Sequence, residues 1–365
     1  MAAKFSLKGG RYFAPPLIAF LLLVVSWSRS LSNLVLVILG LFLVATVFTA
    51  VHHAEVVALR VGEPFGSLIL ALSVTVIEVG MIVVLILGSP DTTQNLARDT
   101  VFAAVMITTN GIVGTALLIK TLRQRIATFN AIGVGGALAT LVALSTLTLA
   151  LPSFTTSSPG PTFTELQLAF AALASLVLYL TFVGVQTVRH RDYFLPPPRE
   201  DQTIALEDHV PPPATKAALQ SLFGLLISLV AVVGLAKVTS PLIQGFVDDR
   251  GLPQMMVAIS IALIVLLPES ISAFKAARFG RTQTSLNLAY GSALASIGLT
   301  IPAIAAISII FSYEVNLGLS AAELVLMALT FLVSTLTVVS GRATLLQSVI
   351  HLSIFGSFIF FAATP

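Results

Sequence analysis

SLILALSVTVIEVGMIVVLILG (Ser67–Gly88) and IALIVLLPESISAF (Ile261–Phe274) decide the fold. The first is an apolar run long enough to span a bilayer, and the second is the centre of another such run. Each carries one carboxylate near mid-depth, Glu78 and Glu269. A carboxylate there costs roughly 2.5–3.5 kcal/mol on insertion scales, so it is rare unless it has a task. The chain holds two, one in each half of its 365 residues.

Composition agrees with a bilayer as solvent. Hydrophobic residues make up 56% of the chain and charged residues only 10%, against about 25% charged in soluble domains. There is no cysteine, which removes disulfides and thiolate metal sites from consideration. The formal charge of +3 is too modest to point to nucleic acid. Counted against the roughly 20 residues that cross a membrane, the apolar runs number eleven. They lie at about 13–28, 33–52, 67–88, 100–119, 130–151, 166–187, 217–238, 257–279, 287–312, 321–340 and 343–362. The first is short, with a basic start, but no small-residue cleavage site follows it, and it reads as an uncleaved helix. The expected class is an all-α polytopic membrane protein.

Lysine and arginine set the direction. With the N-terminus in the cytoplasm, Arg29, Arg98, Lys237 and Arg250 fall outside and the other 15 of the 19 basic residues fall inside. The C-terminus is then outside. The longest break, 189–215, carries two Pro-Pro-Pro runs around an acidic patch of Glu200, Asp201, Glu207 and Asp208. It reads as a cytoplasmic linker. The chain divides into an extra helix (1–30), a first five-helix repeat (31–188), the linker, and a second five-helix repeat (216–365). An odd number of helices per repeat makes the repeats inverted.

The residues support that relation weakly but by position. Glu269 stands 191 residues after Glu78, and Leu70-Ala71-Leu72 meets Ile261-Ala262-Leu263 at this offset. The following helices align at an offset of 186, which sets VMITTNG (105–111) against GSALASI (291–297) and Asn110 against Ser296. Both carry polar or small residues at mid-depth. Inverted repeats with polar residues at the midplane are a secondary-transporter plan, with substrate bound where the repeats meet. Two carboxylates with hydroxyl and amide oxygens suit Ca²⁺, Na⁺ or H⁺. Candidate ligands or lining residues beside Glu78 and Glu269 are Ser73, Thr108, Thr109, Asn110, Ser292 and Ser296. Pro268 is expected to break its helix and free a carbonyl one turn earlier. Desolvation and mutual repulsion oppose two bare charges, so the empty site is expected to take up protons.

Four stretches carry a resemblance: HHAEVVALRVGEPFGSLILALSVTVIEV (52–79), ITTNGIVG (107–114), LLPESISAFKAARFGRTQTSLNLAYGSALASIGLTIP (266–302), and the whole 1 + 5 + 5 helix plan. With them the chain resembles the Ca²⁺/H⁺ antiporter branch of the calcium/cation antiporter superfamily, most of all its bacterial ChaA-type members. The resemblance implies the inverted-repeat exchanger fold, with Glu78 and Glu269 binding cation and proton in turn and Asn110, Ser292 and Ser296 beside them. It implies that 33–52 and 217–238 slide over the remaining core to alternate access. It implies exchange of cytoplasmic Ca²⁺ for external H⁺ across a bacterial inner membrane, with lipid as the other partner. Na⁺(K⁺)/H⁺ exchange on the same scaffold is the alternative, and a homo-oligomer is left open. No resident cofactor is expected. Other branches carry Gly-Asn before the acid, whereas Thr75-Val76-Ile77 and Leu266-Leu267-Pro268 stand here.

His52, His53, Glu55 and Glu63 lie at the cytoplasmic end of the second run and mark a candidate entrance. They lack the His-Glu-x-x-His spacing of a zinc site. Lys275, Arg278 and Arg281 read as snorkelling anchors, Asp248 and Asp249 as a solvated outside loop, and Tyr290 as a packing residue. No nucleotide-binding, nucleophile-elbow or zinc-protease motif is present, so nothing points to an enzyme or a primary pump.

Overall fold

The computed structural model describes residues 10–29, 31–63, 65–88, 94–196, 212–311 and 313–364. The acidic linker patch and Lys4, Lys8 and Arg199 lie outside them. The helices are α1 Gly10–Ser26, α2 Asn33–Val61, α3 Phe65–Gly88, α4 Leu96–Gln124, α5 Ala131–Phe154 and α6 Glu165–Arg189. After the linker come α7 Thr215–Asp249, α8 Met255–Arg278, α9 Thr282–Phe311, α10 Ala321–Val339 and α11 Leu345–Ala363. Ten of these are long and apolar enough to cross a membrane, and α1 is a shorter apolar helix. Large apolar side chains are exposed on the outside of the bundle, as Leu41 on α2 and Leu166 on α6 are. The chain is an integral membrane protein.

Several elements outrun their apolar runs. Helix α2 continues through HHAEVVALRV to Gly62, whose φ of 79° ends it, and α7 runs 35 residues to Asp249. Hydropathy stops at the bilayer edge, but helical hydrogen bonding does not. Asp248 and Asp249 therefore sit in the last turn of α7 and not in a loop. Pro268 does not break α8, which is assigned as one helix through it. The ring removes one backbone donor and leaves the carbonyl of Ile264 without its helical partner. Two three-residue strands, β1 Ile126–Thr128 and β2 Arg342–Thr344, pair antiparallel beside the starts of α5 and α11.

The packing follows the inverted 1 + 5 + 5 plan. Helix α2 lies along α7, α3 packs on α9 as α8 packs on α4, and α6 packs on α9 as α11 packs on α4. Two apolar cores result. One joins α1, α2 and α7 to faces of α3 and α8 through Leu39, Leu43, Ile77, Val232 and Ile261. The other fills the space among α4–α6 and α8–α11 around Phe102, Met106, Leu141, Tyr290 and Phe358. One end of the bundle is basic: Arg60 donates to Thr215 Oγ1 (2.9 Å), Arg123 to the Arg278 carbonyl (2.8 Å) and Lys120 to the Gly280 carbonyl (3.3 Å). At the other end the extended segment 313–320 buries Leu317 and Leu319 and bonds through its backbone to Gln94, Pro161 and Leu149.

Candidate cation site

Glu78 is 2% exposed, on the face of α3 that meets α9. Ser296 Oγ lies 2.8 Å from its Oε1 and 2.6 Å from its Oε2, and Thr300 Oγ1 lies 3.2 Å from Oε2. Ser296 and Thr300 are one turn apart, so α9 presents both hydroxyls on one face. Helical serines and threonines usually donate back to the carbonyl four residues earlier. Ser73, Thr108, Thr109 and Ser270 do so here. Ser296 and Thr300 instead cap a carboxylate on another helix.

Glu269 is placed differently. It is half-buried on α8, and its enclosed Oε2 has no hydrogen-bond partner among the described residues. Its helix α8 packs against α2 and α3, which carry Glu55 and Glu78. A buried carboxylate oxygen without a donor is costly to keep charged. The two acids thus sit on helices that pack together, one capped by hydroxyls of α9 and one with an oxygen that no described residue reaches.

The other predicted residues divide. Ser296 joins the site directly, and Ser292 lies one turn before it on α9, half-buried. Ser73, Thr108 and Thr109 spend their hydroxyl protons on their own helices. Asn110 does not reach either glutamate with its polar atoms. Its Nδ2 donates to Thr330 Oγ1 on α10 (2.9 Å), and its Oδ1 lies 3.1 Å from His351 Nδ1 on α11. The α4 backbone at Ile107–Ile112 forms a π-helical turn, a distortion often found at functional positions.

At the expected entrance the histidines face α1. His52 stacks on Tyr12 with ring centroids 3.8 Å apart, and buried His53 lies 3.2 Å from the Tyr12 carbonyl through Nε2. Both contact α1 across a helix interface. Glu63 accepts the Ser67 amide in the first turn of α3 (3.4 Å). Glu55 is exposed on α2, a helix that packs against the Glu269 helix α8.

Sequence reading missed Thr300 and His351. Thr300 was legible as the residue one turn beyond Ser296. His351 was legible as a lone histidine inside the last apolar run, a functional signal at that depth.

The chain matches the Sodium/calcium exchanger protein family over residues 31–188 and 220–364. It is 44% identical over 327 residues to the putative ionic transporter y4hA of Sinorhizobium fredii, covering 88% of this chain and 87% of that one. It is 30% identical over 348 residues to the sodium-potassium/proton antiporter ChaA of Escherichia coli, covering 94% and 93%. Among solved structures, the H⁺/Ca²⁺ exchanger CAX superposes with a TM-score of 0.70 at 14% identity, over 98% of this chain and 89% of that one. At that identity the likeness speaks for the fold.

Proposed function

The chain belongs to the sodium/calcium exchanger protein family, and from that premise we propose that it exchanges cytoplasmic Ca²⁺ for external H⁺ at Glu78 and Glu269. The observation that carries this reading is the unequal pair of carboxylates in the membrane interior, one capped by Ser296 and Thr300 and the other with an unpartnered oxygen.

Ca²⁺ binds six to eight oxygens at about 2.3–2.6 Å. Two ionised glutamates neutralise it, and hydroxyls of Ser296, Thr300 and Ser292 with the free carbonyl of Ile264 supply further oxygens. When the cation leaves, two bare charges in low dielectric are unstable, and protons replace it. Binding of cation and protons is then mutually exclusive, which is the coupling an exchanger needs. Alternating access follows if α2 and α7 slide over the rest, and their separate apolar core supports that division. The proposed units are the helix of 1–30, repeats over 31–188 and 216–365, and the linker 189–215. The basic end of the bundle faces the cytoplasm of a bacterial inner membrane, with the N-terminus inside and the C-terminus outside.

A second reading, Na⁺(K⁺)/H⁺ exchange, is favoured by the likeness to the sodium-potassium/proton antiporter. The hydroxyl cap on Glu78 is compatible with a carboxyl that keeps its proton, which leaves Glu269 as the single charge for a monovalent ion.

The test is flux in proteoliposomes with a preset pH gradient. Ca²⁺ is expected to dissipate the gradient, and Glu78→Gln or Glu269→Gln to abolish that response while the protein still folds. Dissipation by Na⁺ or K⁺ alone selects the second reading. Wild-type flux in either variant removes the site.

A further inference from the structure

His351 lies at the centre of a polar cluster buried within the bundle, on the side of α4 that meets α10 and α11. It is 0% exposed, as are Asn110 and Thr330. Its Nδ1 lies 3.1 Å from Asn110 Oδ1. Its Nε2 lies 3.2 Å from Thr337 Oγ1. The partners set the tautomer: Nδ1 donates to the amide oxygen, and Nε2 accepts from the hydroxyl. Asn110 Nδ2 in turn donates to Thr330. The amide oxygen is thus held by α11 and the nitrogen by α10, with a longer contact from the nitrogen to Thr109 Oγ1 (3.4 Å) on its own helix.

The repeat relation gives this cluster its meaning. Ser296 and Thr300 of α9 are the two donors on Glu78. Their counterparts in α4, 186 residues earlier, are Asn110 and Gly114. Helix α4 packs on the Glu269 helix α8 as α9 packs on α3. Glu269 nevertheless receives neither donor. Asn110 is engaged by His351 and Thr330. Gly114 has no side chain, and a Cβ there would stand 3.0 Å from the Cβ of His351. The glycine is thus what lets α11 bring the imidazole against α4. The same helix contact removes one donor from the second half-site and turns the other away, and Glu269 Oε2 is the oxygen left without a partner.

We propose that His351 is a positioning residue of the cation site, which acts through Asn110: it holds the amide donor off Glu269 and so keeps that carboxylate open to the cation. This rests on the reading that Glu269 binds the transported ion. Releasing Asn110 lets its N–H compete with the cation for the carboxylate, so the affinity for the ion falls while the transport machinery stays intact.

The experiment uses the full chain, assayed for Ca²⁺- and Na⁺-dependent proton flux in proteoliposomes and for cation-dependent shifts of the unfolding midpoint in detergent. His351→Leu is expected to raise the KM for the transported cation about fivefold, the size of one hydrogen bond's net contribution, with kcat within about twofold. His351→Asn places an amide where Nδ1 stood and is expected to restore KM to within about twofold of wild type. Asn110→Ala combined with His351→Leu is expected to return KM to that of Asn110→Ala alone, because no amide remains to compete. The cation-dependent midpoint shift should weaken in the same order, independently of flux. If His351→Leu does not fold, His351→Gln, which keeps only the Nε2 side, carries the same expectation. An unchanged KM overturns the proposal, as does a joint loss of kcat in the Leu and Asn variants, which marks helix glue alone. Additive effects in the double variant overturn it too. A wild-type protein with neither cation-dependent flux nor a midpoint shift defeats the underlying site assignment instead.

Discussion

At Ser296 a single hydroxyl spans both oxygens of Glu78, at 2.8 and 2.6 Å, while Thr300 adds one longer contact of 3.2 Å. The distances rank the two residues. Ser296→Ala leaves a buried acceptor short of its main donor, a loss of about 1–3 kcal/mol. Thr300→Val removes only the weaker bond and keeps the shape, at about 0.5–1.5 kcal/mol. The alanine variant is therefore expected to lower the unfolding midpoint in detergent more than the valine variant, and to reduce cation-dependent flux more. Equal effects would show that the cap is not what holds Glu78. Glu78, Glu269 and Ser296 were legible in the sequence because each is a polar residue inside an apolar run. The direction of Asn110 was not. An asparagine at mid-depth suits a ligand and a helix contact equally well, and the choice is made by His351, 241 residues later in the chain. The orphaned Oε2 of Glu269 was also hidden, because a missing donor leaves no mark in a one-dimensional pattern.

Between helices, glycines decide how near the site's walls stand. Gly298 lies between Ser296 and Thr300 on α9, and a Cβ there would fall 2.6 Å from the Cβ of Tyr179 on α6. Gly298→Ala must push α6 from α9 or rotate α9, and overpacking of this kind costs about 1–3 kcal/mol. Rotation moves both hydroxyls off Glu78. The expected outcome is a lower midpoint together with a loss of exchange, whereas Gly40→Ala on α2, with nothing described within 4 Å, lowers neither. Normal exchange by Gly298→Ala would mean that α6 does not set the register of α9. The spans themselves were readable from apolar length, since lipid demands it. Their ends were not. The last turns of α2 and α7 leave the bilayer, where hydropathy falls silent but good helix formers continue to Gly62 and Asp249. The pairing of β1 with β2 was unreadable for another reason: three residues carry too little alternation to distinguish a strand from a turn.

Across the whole molecule, the two apolar cores meet along α3 and α8, the helices that carry the acids. This is the arrangement a sliding mechanism requires: α1, α2 and α7 on one side, the remaining bundle on the other, and the site at the boundary. The contact between Gly80 of α3 and Val233 of α7 lies on that boundary. A Cβ built at Gly80 would stand 3.5 Å from the Cβ of Val233, within the range of about 3.5–4.5 Å that a disulfide spans. The chain has no cysteine of its own, so a Gly80→Cys, Val233→Cys pair can form only the intended bond. If α7 moves past α3 in every cycle, as the proposed mechanism has it, the oxidised pair stops cation-dependent proton flux and a reductant restores it. The single Val233→Cys variant, treated with the same oxidant, and the unoxidised pair should keep their flux. Persistent exchange by the fully oxidised pair would show that α7 and α3 travel together, and the moving boundary would then have to lie elsewhere, between α8 and α4 or within the larger core.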